Sequence, residues 1–321
     1  MIELNSLRSA APLRIAVTGA AGLVGQNLIP RLKARGFTDI VAVDKHSANT
    51  AILRQLHPDI LVIEADLADD AGWQDAVAMC DVVVVCHAQI GGLNPDEFQR
   101  NNVVATRSLI AAMHANKRAY LIHLSSSVVE SEAFDWYTES KNQQEAIIVA
   151  SGLPYVVLRP TLMFGWFDRK HIGWLARFMR RVPVFPIPGN GRYLRQPLYV
   201  GDLCDIIMSC IDKRPGNAAY NISGQEKIDY IDLMREVKTA CHARAAIVNI
   251  PYGLFWSLLW IYGLFDRDPP FTTKQLEALV TPDIFEVIDW PAIFRVKPTP
   301  LRSALEQTFQ HPEYSKFVLN F

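Results

Sequence analysis

Tyr137 and Lys141 stand four residues apart in Tyr137-Thr138-Glu139-Ser140-Lys141, a spacing that puts a phenol and an ammonium on one face of a helix. An ammonium near a phenol favours the phenolate and lowers its pKa toward neutral pH, so the pair can take a proton from a hydroxyl. A wet helix surface can hold such a pair by chance. Its place in the chain argues for chemistry. It follows a strand-like run ending in Ser125-Ser126-Ser127, at the carboxyl edge where ligands of open α/β sheets bind. The three serines can also be no more than a polar strand end.

A second constellation opens the chain. Leu13–Thr18 runs into Gly19-Ala20-Ala21-Gly22-Leu23-Val24-Gly25 and then into a helix-like segment. Glycines there let the backbone turn tightly, approach a pyrophosphate and start a helix close to the sheet, which is the form of a dinucleotide site. Asp44 closes the next strand-like run, about twenty residues after the glycines, where a carboxylate accepts both ribose hydroxyls and repels a 2′-phosphate. NAD is therefore expected rather than NADP, although Asp44 can also be a loop or cap aspartate and Lys45 and His46 adjoin it. Asp66, in Glu64-Ala65-Asp66-Leu67, lies just past a third run and by spacing alone is equally an N-cap.

The elements that must position these groups follow from hydrophobic rhythm. Leu13–Thr18, Ile40–Asp44, Leu61–Glu64, Asp81–His87, Tyr120–Ser125 and Tyr155–Arg159 read as strands, most too uniformly apolar to have a wet face. Leu23–Arg35, Gly72–Met79, Pro95–Ala115 and Trp136–Ser151 carry apolar residues at helical spacing. The alternation predicts an α/β fold, a doubly wound parallel (Rossmann) sheet with a smaller C-terminal substrate-binding region. The expected division is a dinucleotide domain over residues 13–160, with 196–215 returning to it, and a substrate region over 161–195 and 216–321.

The 321 residues carry 32 basic and 33 acidic side chains, net −1, so no global field gathers nucleic acid or anionic lipid. Five scattered cysteines without metal spacing read as reduced core thiols of a cytosolic protein, and none of the eight histidines belongs to a metal cluster. Met1–Pro12 has no continuous apolar stretch and reads as a disordered lead-in rather than a secretory signal.

Together Gly19/Gly22/Gly25, the serine cluster, Tyr137 with Lys141, and Leu158-Arg159-Pro160-Thr161-Leu162-Met163-Phe164-Gly165 resemble the extended short-chain dehydrogenase/reductases, the NAD-dependent epimerase/dehydratase family, over about Leu13 to Gly224. The resemblance implies that Ser126 hydrogen-bonds the reacting oxygen, that Tyr137 is the acid/base, and that Lys141 orients the ribose and tunes the phenol. Aligning from the following valine selects Ser126; aligning from the strand selects Ser127. It further implies cofactor contacts from Gly19, Ala21, Gly22, Leu23, Val24, Gly25, Asp44, Asp66, Leu67, His87, Ala88, Asn102 and Lys141. His87 and Ala88 would place backbone against the cofactor, and Asn102 would support that region. Read alone, His87 is a strand-end histidine without a ligand role.

Arg195-Gln196-Pro197-Leu198-Tyr199-Val200-Gly201-Asp202 resembles the stretch whose arginine contacts the substrate diphosphate in nucleotide-sugar members, a role Arg195 would take unless it is a surface ion pair. Two departures stand out. Pro160-Thr161-Leu162 replaces an expected asparagine, and Trp166 follows Phe164-Gly165 where proline is usual. Tyr252–Phe265 is apolar throughout and too short to span a bilayer, so it is either a buried helix of the substrate region or a surface meeting membrane or a lipid-like substrate.

The expected function is NAD-dependent hydride transfer at a sugar hydroxyl carbon of a nucleotide sugar, as a 4-epimerase or ketoreductase, in a cytoplasmic homodimer. The alternatives are a dehydrogenase of an apolar, sterol-like alcohol and a catalytically silent NAD-binding subunit.

Overall fold

A computed structural model describes residues 13–70, 72–116, 118–130, 135–265, 273–280 and 287–320. The reading of Met1–Pro12 lies outside the described residues. The chain divides into two compact units: Met1–Ser125, Ser131–Val157 and Cys210–Ala218 form one, and Ser126–Glu130, Leu158–Ser209 and Ala219–Phe321 form the other.

In the first unit the strands are β1 (Ile15–Thr18), β2 (Ile40–Asp44), β3 (Leu61–Glu64), β4 (Val82–Val85), β5 (Tyr120–Leu124) and β6 (Tyr155–Pro160), the last running on into the second. The helices are α1 (Leu23–Ala34), α2 (Ser47–Leu56), α3 (Gln74–Ala78), α4 (Pro95–Phe98), α5 (Ala105–Met113) and α6 (Trp136–Ala150). β1–β2, β1–β4, β2–β3 and β4–β5 pair in parallel, with Ile15 opposite both Ile40 and Val82. With β11 (Ala218–Ile222) the sheet runs in the order β11-β6-β5-β4-β1-β2-β3, the reversal of a doubly wound fold falling between β1 and β4. Every residue of β1, β4 and β5 is buried, as expected of strands covered on both faces, whereas Leu61 and Glu64 of edge strand β3 are exposed.

Local chemistry fixes the element ends. Asp135 caps α6 by accepting the Thr138 N–H at 2.7 Å, and Asn94 caps α4 from Asp96 N–H with Pro95 at the first helical position. α1 stops at a left-handed Gly36 (φ 89°), where Gly36 N–H reaches Lys33 O and Phe37 N–H reaches Leu32 O. The single helix expected over Pro95–Ala115 is interrupted by a π-helical turn at Gln99–Val104, and α2 was not foreseen. Its Asn49 and Thr50 are buried polar residues that break the apolar pattern: Asn49 O accepts from Gln26, and Thr50 Oγ1 bonds Ser47 O and Glu64.

The second unit is built of short pairs: β7 (Met163–Phe164) with β10 (Leu198–Tyr199), β8 (Val184–Pro188) with β13 (Ala246–Ile250), and β9 (Leu194–Arg195) with β12 (Ile228–Asp229). Its helices are α7 (His171–Arg181), α8 (Val200–Lys213, which continues into the first unit), α9 (Tyr230–Ala240), α10 (Tyr252–Phe265), α11 (Thr273–Val280), α12 (Trp290–Phe294) and α13 (Leu301–Gln310). Asp202, at the start of α8, accepts from Thr299 N–H at 3.2 Å and Thr299 Oγ1 at 2.6 Å, so this carboxylate holds the C-terminal segment. Of the two readings of Tyr252–Phe265, a buried helix is corrected for the described side chains: Leu254, Leu258, Trp260 and Ile261 are about half exposed. Among the described residues no helix is long and apolar enough to cross a membrane.

Trp73 is fully buried in the core cluster on one side of the sheet, its indole N–H donating to Asp69 O at 3.0 Å. Trp73→Ala leaves a cavity that neighbouring strands cannot fill and lowers the free energy of unfolding by about 3–5 kcal/mol. Urea denaturation followed by circular dichroism measures it, and a loss below about 1 kcal/mol contradicts this account of the core.

Candidate active site

At the end of β1, Gly19 turns into the left-handed region (φ 61°), and a Cβ there would lie 2.6 Å from His87 N and 2.7 Å from Cys86 C. The backbone after β4 thus lies directly against the glycine turn. A Cβ on Gly25 would sit 2.3 Å from Ala20 O, so glycine is required for α1 to start this close to the loop. Gly22 is the N-cap of α1 in extended conformation, and no side chain caps the first turn containing Leu23 and Val24. The loop therefore has the cradle shape and the positive helix end that receive a pyrophosphate.

Asp44, at the end of β2, holds this loop. Its Oδ2 accepts Ala21 N–H at 3.0 Å and its Oδ1 accepts His46 N–H at 2.9 Å. Burial pushes its carboxyl above the usual range, against the opposing pull of the His46 and Ala21 N–H groups. Each oxygen retains a further lone pair for a ribose hydroxyl. Asp66 forms an Asx turn, accepting Ala68 N–H at 3.0 Å, and does not cap α3, whose N-cap is Trp73. It also meets Lys45 at 3.3 Å and Arg100 at 3.4 Å; although burial raises its pKa, the Ala68 N–H and these cations outweigh that and lower it. Leu67 is buried in the core cluster and Ala88 is exposed.

Lys141 is 1% exposed, which is rare for a lysine. Its ammonium donates to Leu124 O, at the end of β5, at 2.8 Å and to Gln144 Oε1 at 2.7 Å. Burial pushes its pKa down to about 7. Gln144 is clamped in turn, its Nε2 donating to Thr106 Oγ1 at 2.8 Å and to Asn102 O at 3.2 Å. Thr106 Oγ1 lies 3.1 Å from His87 Nε2, and His87 Nδ1 lies 2.9 Å from Thr18 Oγ1. Burial, reinforced by the Lys141 cation, lowers the His87 pKa to about 3, so the ring is neutral. Asn102, in the π-helical turn, accepts Gln89 N–H at 2.6 Å and donates to Ser140 Oγ at 2.8 Å. A buried polar chain thus joins the end of β1 to Lys141.

Gln144, Thr106, Thr18 and Ser140 are members of this chain that the sequence reading missed. The only available signal was Gln144 one helical turn beyond Lys141, on the same face. Ser125 Oγ and both ring nitrogens of His123 are buried without a hydrogen-bond partner among the described residues. Orphaned polar atoms at the carboxyl end of β5, beside a cradle that excludes side chains, fit a dinucleotide in this unit.

Tyr137 is half-buried in the first turn of α6 in the first unit, whereas Ser126, Ser127 and Arg195 lie in the second unit. Ser126 Oγ accepts Val128 N–H at 3.4 Å, and Ser127 opens a 3₁₀ turn over Ser127–Glu130. Arg195 is 9% exposed, donates to Leu194 O at 3.3 Å, and lies 5.5 Å from the Tyr193 ring centroid. The residue is therefore largely buried, with its guanidinium near an aromatic ring.

Residues 15–223 match the model of the "NAD dependent epimerase/dehydratase family". A UDP-glucose 4-epimerase of Vibrio cholerae is 22% identical over 80% of this chain and 82% of its own. A mouse (Mus musculus) sterol-4-alpha-carboxylate 3-dehydrogenase, decarboxylating, is 23% identical over 93% of this chain and 83% of its own. Among solved structures, the UDP-glucuronic acid 4-epimerase of Bacillus cereus in complex with NAD superposes with a TM-score of 0.71 at 20% identity, covering 95% of this chain and 99% of the other, a likeness of fold. With the glycine cradle, Asp44 and the buried lysine in place and the family's pattern spanning 15–223, the chain belongs to the NAD dependent epimerase/dehydratase family.

Proposed function

We propose that this protein is an NAD-dependent oxidoreductase acting on a nucleotide sugar at a sugar hydroxyl carbon, as a 4-epimerase or ketoreductase. The observation that carries the reading is Lys141, buried beneath the end of β5 and four residues from Tyr137 on α6. NAD, when bound, accepts hydride from the substrate carbon and, in an epimerase, returns it. The loop Gly19–Gly25 binds the pyrophosphate and Asp44 the adenosine ribose. Of the three Lys141 donors, Leu124 O and Gln144 take two; the third is assigned to the nicotinamide ribose. The ammonium also stabilises the Tyr137 phenolate, which removes the proton from the substrate hydroxyl. Ser126 is assigned a hydrogen bond to the same oxygen, and Arg195 the diphosphate.

Three outcomes test these assignments. At equal concentration NAD raises the melting temperature more than NADP, and Asp44→Asn narrows the difference by removing the charge that repels a 2′-phosphate. Equal shifts in the unsubstituted protein remove this use of Asp44.

A screen of UDP- and dTDP-sugars, monitored by thermal shift with NAD present and then by turnover, identifies the substrate. On that substrate Tyr137→Phe retains the fold and NAD binding and loses at least about a hundredfold in kcat, the usual scale of general acid–base catalysis. Turnover near the wild-type rate sinks the catalytic assignment.

Gln144→Leu removes an acceptor from the ammonium, so the charged form of Lys141 is further disfavoured and its pKa moves below about 7. If activity needs that charge, the alkaline limb of the kcat profile moves to lower pH by about one unit or more, because a hydrogen bond to a charged group is worth about 1.5–3 kcal/mol and one pKa unit is 1.36 kcal/mol. A fall in kcat with an unmoved limb reduces Gln144 to a packing residue.

A further inference from the structure

The second unit holds a cavity of about 240 Å³ that the hydride chemistry does not use. Trp174 and Phe178 of α7 form one wall, their rings stacked at 5.2 Å, and Phe255 and Leu259 of α10 form another. Leu175 of α7, Tyr230, Leu279 of α11 and residues of β8 complete it. The Tyr230 hydroxyl and the Trp174 indole N–H are the only polar side-chain groups among the lining residues. Such a lining leaves sugar hydroxyls and nucleobase edges unpaired, at the full cost of desolvating them, and suits a hydrocarbon chain.

The surroundings extend this character. Phe185, Pro186 and Pro188 of β8 line the cavity, and Val184 and Val248, the register partner of Pro186, belong to the same strand pair. Val184 and Val248 are 46% and 42% exposed. On α10, Phe255 and Leu259 turn inward, while Leu254, Leu258 and Ile261, at i, i+4 and i+7, are 54%, 49% and 46% exposed. The elements that line the cavity thus also carry exposed apolar side chains.

Helix α7 carries a charge on the side that bears the aromatic wall. Trp174, Phe178 and Arg181 stand at i, i+4 and i+7 of α7, so the aromatic wall ends in a guanidinium on the same side of the helix. Arg181 is exposed and, among the described residues, paired with no carboxylate. Glu277 of α11 accepts a hydrogen bond from the Trp256 indole N–H at 3.3 Å.

We propose that this cavity binds the aliphatic chain of an anionic amphiphile, with its phosphate or carboxylate head met by Arg181. The chain displaces water from ring and methyl surfaces, and the planar guanidinium gives the head a charge-assisted hydrogen bond.

The test is calorimetric titration with octyl and decyl phosphate below their micellar concentrations, beside inorganic phosphate and decanol. The expected result is saturable, one-to-one binding of the alkyl phosphates, gaining about fourfold in affinity per added methylene. Inorganic phosphate alone does not saturate. Leu259→Trp, which fills the cavity, abolishes binding; Arg181→Glu weakens the alkyl phosphates at least about tenfold and leaves decanol unchanged. If Leu259→Trp fails to fold by circular dichroism, Leu175→Trp fills the same space from α7. Affinity indifferent to chain length, or to both filling substitutions, overturns the proposal. So does flotation with phosphatidylglycerol vesicles without binding of monomeric alkyl phosphate, which makes the face a membrane surface. Loss of a dimer on Arg181→Glu or the filling substitutions, without alkyl phosphate binding, assigns the face to a second copy. None of these readouts uses hydride transfer, so this site and the nucleotide-sugar reading fail separately.

Discussion

A lysine ammonium taken out of water must recover hydrogen bonds or lose its proton, and the first unit is organised around that constraint at Lys141. Two donors find the Leu124 carbonyl and the Gln144 amide oxygen. A mobile glutamine would be a poor anchor in exchange for water. Gln144 is immobilised by Thr106 and Asn102, Thr106 adjoins His87, and His87 adjoins Thr18 at the end of β1. The arrangement needs a neutral His87, since a second cation here would repel the ammonium, and burial keeps the ring neutral. Strands β1, β4 and β5 and helices α5 and α6 are therefore coupled by polar contacts in addition to apolar packing. A partly satisfied network in this position would cost more than an apolar one.

The same strands set the glycine loop. Gly19 lies against the backbone of Cys86 and His87, so the histidine that belongs to the polar chain by its side chain belongs to the cradle by its backbone. Asp44 ties the loop to β2 through Ala21 N–H. A carboxylate so held is preorganised: its two oxygens are oriented before any ligand arrives, which reduces the ordering cost of binding.

How much of this could be read from the chain follows the range of the interactions. Uniformly apolar strands, a glycine loop between strand and helix, and a Tyr/Lys pair at helical spacing are local patterns, and β1–β6, α1 and α6 lie within a few residues of where those patterns place them. Helix α2 was missed because its inward side is partly polar, with Asn49 and Thr50 buried by partners from α1 and β3 that only the fold supplies. The π-helical turn around Asn102 interrupts a pattern that reads as continuous helix. Thr18, Thr106 and Gln144 are far apart in sequence and ordinary in type, so their connection through His87 has no local signature. Asp66 illustrates the opposite limit. Its position was legible, but its geometry is an Asx turn that also meets two cations, and spacing cannot separate that from an N-cap.

The two departures from the nucleotide-sugar pattern carry different weight once packing is known. Trp166, where proline is usual, lies 4.8 Å from the His311 ring and 4.7 Å from the Tyr314 ring, and its indole N–H donates to Gln307 O at 2.8 Å. An aromatic cluster with the C-terminal segment thus accounts for the tryptophan by local packing, and the substitution says nothing about the ligand. Thr161 is different. Its backbone N–H is bound to Ile222 O at 3.0 Å, but its hydroxyl is buried with no partner among the described residues. A buried hydroxyl left unmatched by the protein costs stability unless something else meets it. It stands in the stretch where the resemblance to nucleotide-sugar members leads one to expect an asparagine, whose amide offers both a donor and an acceptor. Threonine in that place shortens the polar reach without making this point of the second unit apolar.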